Sequence, residues 1–285
     1  MPSVYKINGT ARSLQPIIHR SNTPDEGVLA QGNQSFHRKM KVYYEGKLVL
    51  IPVISGNSIR GIMRRLGGES FLETLQLDPN QIQPKLYYLL FSGGSLEEGG
   101  GKGKRKSSNE GPSKPAKITM EELRRNIPLV SLFGCSYQNQ ILQGKVIVDF
   151  LIPYVDEVAE LYGKPKPGIR AGEITDWLFY TRTDDLEQDD KPSRNQMIYT
   201  MEYILPGIEF IHSFTLMGTS QVETALFVHL LEQLRIFGHI GGKIAQGHGK
   251  VEFNYEVSSE IASTPYLDYI RDNQETILKF LQANW

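Results

Sequence analysis

The sequence predicts an α+β fold with its elements in the order β-α-β-β-α-β and long excursions between them. Three observations predict it. An apolar run starting at Leu48 hands over at Ser55-Gly56-Asn57-Ser58 to Ile59, Ile62, Met63 and Leu66, which recur at helical spacing. Residues 197–218 hold two strand-like runs about a Pro206-Gly207 turn, and 219–238 follow as the clearest helix in the chain. A Gly-rich loop then leads into a strand over 239–257.

Taken in order, residues 3–19 alternate in the β manner, with Val4, Ile7 and later Ile17 and Ile18 apolar. Turn formers crowd 20–35, which reads as a long loop. Two strands occupy 36–55, joined at Glu45-Gly46. Residues 92–117 are low complexity and can bury no face; their KGKRK cluster is a solvated linker or a contact to a polyanion. Thr119 can cap a helix, Glu121 and Glu122 suit its first turn, and Gly134 ends the segment 118–134. KVIVDFLIPYV (145–155) is a strong strand, and 163–175 are Gly/Pro-rich. Residues 177–196 begin apolar and become a charged excursion. In 219–238, Thr219 or Ser220 caps the helix, Ala225, Leu226, Val228 and Leu231 make its apolar stripe, and Gly238 stops it. Residues 265–285 read as a terminal helix. The whole is a single domain on a ferredoxin-like (RRM-like) plan.

The chain has 285 residues, 40% of them hydrophobic, enough for a sizeable core. Lys and Arg number 31 against 32 Asp and Glu, a formal net charge of −1. That balance counts against a free-standing nucleic-acid binder, but it allows a basic groove on a neutral body. The single cysteine, Cys135, excludes an internal disulfide and suits a reducing compartment. No Cys/His spacing suggests zinc, and neither metal nor cofactor is expected. The sequence shows no signal-peptide pattern and no apolar run near the ~18 residues of a membrane span. A soluble, cytoplasmic protein without a membrane partner is the expectation.

Three clusters point to phosphate or nucleic acid. At the first, Ser55, Asn57 and Ser58 can cap a helix and Gly56 allows close approach. A phosphate there meets backbone amides first and Arg60 next. Arg60 and Arg64 share a helix face and Arg65 is offset; an ordinary capped helix with a wet arginine face accounts for the spacing equally. At the second, Gly238, Gly241, Gly242, Gly247 and Gly249 interleave with Lys243, Gln246, His248 and Lys250. The third flanks the 20–35 loop: His19, Arg20, Asp25, His37, Arg38 and Lys39, with Phe36 an aromatic among bases. The acid-rich 181–197 stretch lacks an EF-hand pattern and reads as a solvated hairpin, from which Arg182, Arg194 or Met197 would reach a nucleic acid. No nucleophile elbow or acid/base pair emerges, and Cys135 looks structural.

Three segments together, "IPVISGNSIRGIMRRL", "SLFGCSYQNQILQGKVIVDF" and "GHIGGKIAQGHGKVEF", resemble the RAMP superfamily of CRISPR-associated proteins. The likeness is to the repeated backbone subunit that coats crRNA. "SGNSIRGIMRRL" and "TRTDDLEQDDKPSRNQMIY" look most like its type IV members. The resemblance implies that Ser55, Gly56, Asn57 and Ser58, with Arg60 and Arg64, hold crRNA phosphates on a palm. It implies that Lys243, Gln246, Gly247 and His248 line the same surface, near His19 and Arg20. The 177–196 excursion would be a thumb that wedges between bases. Copies would stack head to tail along the guide beside other effector subunits, and the guide would pair with target DNA or RNA. The implied role is non-catalytic. Two alternatives stay open. Asp25 lies where RNA-cleaving type III relatives carry a catalytic aspartate, although "RSNTPDEG" departs from their pattern. A repeat-RNA endonuclease of the same superfamily would use His19 or His37 as general base.

Overall fold

A computed structural model describes residues 3–21, 34–94, 118–137, 140–182, 197–258 and 266–285. In chain order the strands are β1 (Val4–Ser13), β2 (Gln34–Ser35), β3 (Lys39–Tyr44), β4 (Lys47–Pro52), β5 (Cys135–Tyr137), β6 (Gln140–Leu142), β7 (Val146–Val148), β8 (Ile152–Pro153), β9 (Thr175–Arg182), β10 (Met197–Ile204), β11 (Glu209–Met217) and β12 (Val251–Tyr255). The helices are α1 (Gly56–Thr74), α2 (Pro84–Ser92), α3 (Met120–Asn126), α4 (Pro128–Phe133), α5 (Asp156–Ala159), α6 (Gln221–Phe237), α7 (Tyr266–Asp272) and α8 (Gln274–Asn284).

The central sheet runs β12-β1-β11-β7 and is antiparallel, with β8 also on β11. Along the chain its strands therefore lie fourth, first, third, second, the ferredoxin-like order, with α1 in the first crossover and α6 in the second. Alternation decides which face is inside. Ile7 and Ala11 of β1 stand opposite Phe214 and Phe210 of β11, and Phe253 of β12 stands opposite Ala11, so one face is apolar. Ile59, Met63 and Phe71 of α1 and Phe227, Leu230 and Leu234 of α6 join that face in the main core. His212 is buried in this row with both ring nitrogens engaged: Nε2 is 3.1 Å from the Asp149 carbonyl and Nδ1 is 2.9 Å from the Tyr255 hydroxyl. Burial pushes its pKa down to about 4.

A smaller core forms where the β3–β4 hairpin lays Val42, Ile51 and Val53 against Val155, Val158 and Ile174. A third sheet, β2-β10-β9, is a long hairpin with one short parallel strand beside it.

The hairpin turn at Glu45-Gly46, the turn at Pro206-Gly207 and the α6 caps lie where the sequence places them. Ser220 and Glu223 form a reciprocal capping box at the start of α6, and Gly238 ends it at φ 55°. Four expectations are corrected. Residues 118–134 make two helices, because Pro128 has no N–H to continue α3 and opens α4 instead. Residues 145–155 are interrupted between β7 and β8, where Leu151 leaves β11 and exchanges backbone hydrogen bonds with Ile54. The terminal helix breaks at Asn273 into α7 and α8. Strand β1 stops at Ser13, and residues 14–19 turn away from the sheet. Helix α2, placed by Leu86, Leu89 and Leu90, has no counterpart in the sequence reading.

Candidate nucleic-acid interface

The segment after β1 acts as a strap that collects the predicted residues. Its Ile18 carbonyl accepts from the Gly242 N–H at 2.8 Å and its Pro16 carbonyl from the Gly249 N–H at 2.8 Å, which docks the Gly-rich loop. Glycine is required at 241: φ is +82°, and an added Cβ would sit 2.4 Å from the Ile18 carbonyl oxygen. One residue further on, the His19 Nε2 accepts from the Ser55 N–H at 3.2 Å, so the strap also touches the start of α1.

That start is built as the sequence predicts. Ser55 is the N-cap, and its Oγ accepts from the Ser58 N–H at 3.3 Å. Gly56 is buried against the end of β7, where an added Cβ would lie 2.1 Å from the Val148 carbonyl oxygen. Asn57 is exposed and Ser58 half-buried.

His19 and His37 form a second layer. The His19 N–H donates to His37 Nδ1 at 3.3 Å, and the His37 N–H donates to Glu202 Oε2 at 3.0 Å. Glu202 also pairs with Lys39 at 2.7 Å. Burial, helped by the Arg38 charge, holds the His19 pKa down to about 4. Burial and the neighbouring His19 push His37 to about 3. Both rings are neutral at neutral pH, and each spends an imidazole lone pair on a backbone N–H. A general base needs that lone pair free, so the geometry argues against His19 or His37 in that role. Arg20 is exposed beside this layer, bridged to His37 through the backbone, and Arg38 is half-buried.

The Gly-rich loop is pinned from its other side by the hairpin. Tyr180 of β9 bonds His248 Nε2 through its hydroxyl, and the Lys243 ammonium lies 4.1 Å from the Tyr180 ring centroid. Lys243 adopts φ +58° and donates to Gln246 Oε1 at 2.9 Å. Gly247 is exposed at φ +85°. His248 is buried, and burial with the Lys243 charge lowers its pKa. On the hairpin's opposite face, Phe36 meets Trp177 edge to face at 5.3 Å.

The strap thus brings His19, Arg20, Phe36, Arg38, Ser55, Gly56, Asn57 and Ser58 into one neighbourhood, with Lys243, Gln246, Gly247 and His248 alongside. Arg60 and Arg64 are elsewhere. Arg64 is 7% exposed, and its Nη2 donates to the carbonyls of Phe133 at 3.0 Å and Gly134 at 2.9 Å. Arg60 donates to the same Phe133 carbonyl. Burial and the adjoining Arg60 bring the Arg64 pKa to about 10, and burial lowers that of Arg60. The expectation that Arg64 meets a phosphate is therefore corrected: its guanidinium caps the carbonyl end of α4, whose negative partial charge attracts it. Arg65 is exposed on α1. Arg182 and Met197 pair across the β9–β10 hairpin at the end of its described length. Asp25, Arg194 and the KGKRK cluster lie outside the described residues. Sequence reasoning missed Tyr180, Trp177 and Glu202. The aromatic alternation Trp177–Phe179 within WLFYTR was the available signal for the hairpin.

Among the described residues, no helix is long and apolar enough to cross a membrane. Among curated proteins, none matches this chain in sequence. A solved structure described as "Type IV-B CRISPR Complex" matches 90% of this chain and 92% of that one, with a TM-score of 0.59 and 19% sequence identity, a likeness of fold. The model of the RAMP superfamily matches residues 46–252, which include α1, the central sheet's β7 and β11, the hairpin and the Gly-rich loop. A match over that much of the chain shows the family: the chain belongs to the RAMP superfamily.

Proposed function

We propose that this protein is a non-catalytic, crRNA-binding backbone subunit of a CRISPR effector ribonucleoprotein of type IV. Superfamily membership and the fold-level likeness to a type IV-B complex support the class. The observation that carries the RNA-binding role is the strap: one segment ties the N-terminus of α1 to the Gly-rich loop, through Ser55–His19 and Gly242–Ile18. The exposed helix start at Asn57 meets a phosphate, and Arg20 and Lys243 flank it with positive charge. Such contacts read the ribose-phosphate chain and leave the bases free to pair with target DNA or RNA.

A chain with nearly balanced charges suits this role. It keeps a basic strip for the guide and mixed or apolar surface for its neighbours. Copies stack head to tail along the strand in an open, heterologous assembly beside other effector subunits.

Anisotropy titrations with several unrelated single-stranded RNAs test the reading. Similar affinities that fall together with rising salt are expected; affinity for one sequence alone would overturn it. An Asp25→Ala chain assembled on guide should leave target products unchanged. Regular-interval cuts that vanish with this substitution would move the assignment to a target-cleaving subunit.

A further inference from the structure

The β9–β10 hairpin reaches both halves of the phosphate site. From β9, the Tyr180 hydroxyl bonds His248 of the Gly-rich loop. From β10, Glu202 begins a relay that ends at the start of α1. Its Oε2 accepts from the His37 N–H at 3.0 Å, His37 Nδ1 accepts from the His19 N–H at 3.3 Å, and His19 Nε2 accepts from the Ser55 N–H at 3.2 Å. Each acceptor is a side chain and each donor a backbone amide, so every link holds a piece of main chain in place. The last donor belongs to the N-cap of α1, two residues before the exposed Asn57.

The relay is built from buried parts. Glu202 is 4% exposed and His37 fully buried. Lys39 holds the other carboxylate oxygen of Glu202 at 2.7 Å, so the layer adds no net negative charge beside a phosphate. A buried ion pair is weak evidence for stability, because apolar side chains of similar volume serve a core as well. What apolar side chains cannot supply is an acceptor for the His37 N–H. The two rings carry their protons on opposite nitrogens: His19 accepts at Nε2 and His37 at Nδ1, and a neutral imidazole has one acceptor.

We infer that Glu202 is a positioning residue for RNA binding: it touches no RNA itself and sets the start of α1 through His37 and His19. The inference rests on the RNA-binding reading above and deepens it, because the grip at the helix start then depends on a strand of the hairpin. The relay can be cut at its far end. Ser55 has φ −67° and ψ 140°, angles that proline adopts, so Ser55→Pro deletes the last donor without redirecting the chain. Ser55→Ala removes the same hydroxyl and keeps the N–H, which makes it the control.

Anisotropy titration of the full-length chain with a single-stranded RNA reads the effect, and urea denaturation checks that each variant is folded. Glu202→Leu should weaken RNA binding about tenfold. Glu202→Gln, which keeps an acceptor for the His37 N–H, should restore most of the loss. In the Ser55→Ala chain the loss from Glu202→Leu should persist; in the Ser55→Pro chain it should vanish, because the relay is already cut. A merely structural Glu202 would cost the same in both. If Glu202→Leu does not fold, His19→Phe takes its place: it keeps a ring, removes the acceptor, and should show the same loss and the same dependence on Ser55. Folded variants that bind RNA as tightly as the parent, or a loss equal in the Ser55→Ala and Ser55→Pro chains, would overturn this inference and leave the RNA-binding reading intact. A parent chain that binds no RNA would overturn that reading, and this inference with it.

Discussion

Around the N-terminus of α1, Arg20 and Asn57 stand in solvent, whereas at the C-terminus of α4 Arg60 and Arg64 turn inward onto carbonyls. The arginines are sorted by the end of the helix they meet. Carbonyls at a helix C-terminus absorb a guanidinium, and the resulting contact is structural. Amides at a helix N-terminus repel one, which leaves nearby cations free and the amides open to an anion. The first arrangement fixes the scaffold and the second offers a surface for phosphate.

Substitutions can break this contrast, and the largest effect is expected in the buried half. Arg64→Ala strands the Gly134 carbonyl, leaves the Phe133 carbonyl to Arg60 alone and should cost about 3 kcal/mol in urea denaturation. An unchanged midpoint would mean that the guanidinium is not needed there. Arg20→Ala with Lys243→Ala should cost far less, about 1 kcal/mol at most from the lost Lys243–Tyr180 contact. The same pair should weaken binding of unrelated RNAs alike and lower the salt slope by about 1.4, at roughly 0.7 per phosphate contact on a single strand. A slope equal to the parent's would remove both residues from the phosphate path.

Histidine burial supplies a pH test of the layer beneath the surface. His19 and His212 titrate near pH 4 in the folded chain and His37 near 3, against 6.5 when unfolded. As pH falls below about 6.5 the unfolded chain takes up protons that the folded rings refuse. Stability is therefore full above 6.5 and is lost progressively toward pH 3 to 4. Denaturation at pH 7.5 and pH 5 should show the loss; equal or greater stability at pH 5 would contradict the buried, neutral rings. Ser55→Ala should cost about 1 kcal/mol from the lost cap. Thermal unfolding measures it, and a larger drop would show that the strap depends on the cap.

What could be seen in the sequence was local. Ser220 and Glu223 announce α6 within four residues, and the Glu45-Gly46 and Pro206-Gly207 turns lie between apolar runs. The cap at Ser55 and the glycine loop were visible for the same reason. Arg64 was misplaced because its partners lie 69 and 70 residues away, and nothing near it in the chain reveals them. His37 and His248 were seen as chemically apt, but their burial depends on Glu202 and Tyr180, 165 and 68 residues distant. The break at Pro128 is legible in itself, but the apolar residues on both sides continue at helical spacing and mask it.

Native mass spectrometry of the full-length protein mixed with a guide-length RNA of arbitrary sequence tests the central claim most directly. Several copies per RNA, in a number that rises with RNA length and is indifferent to base composition, are predicted. A chain that stays single and leaves the RNA bare would contradict the account.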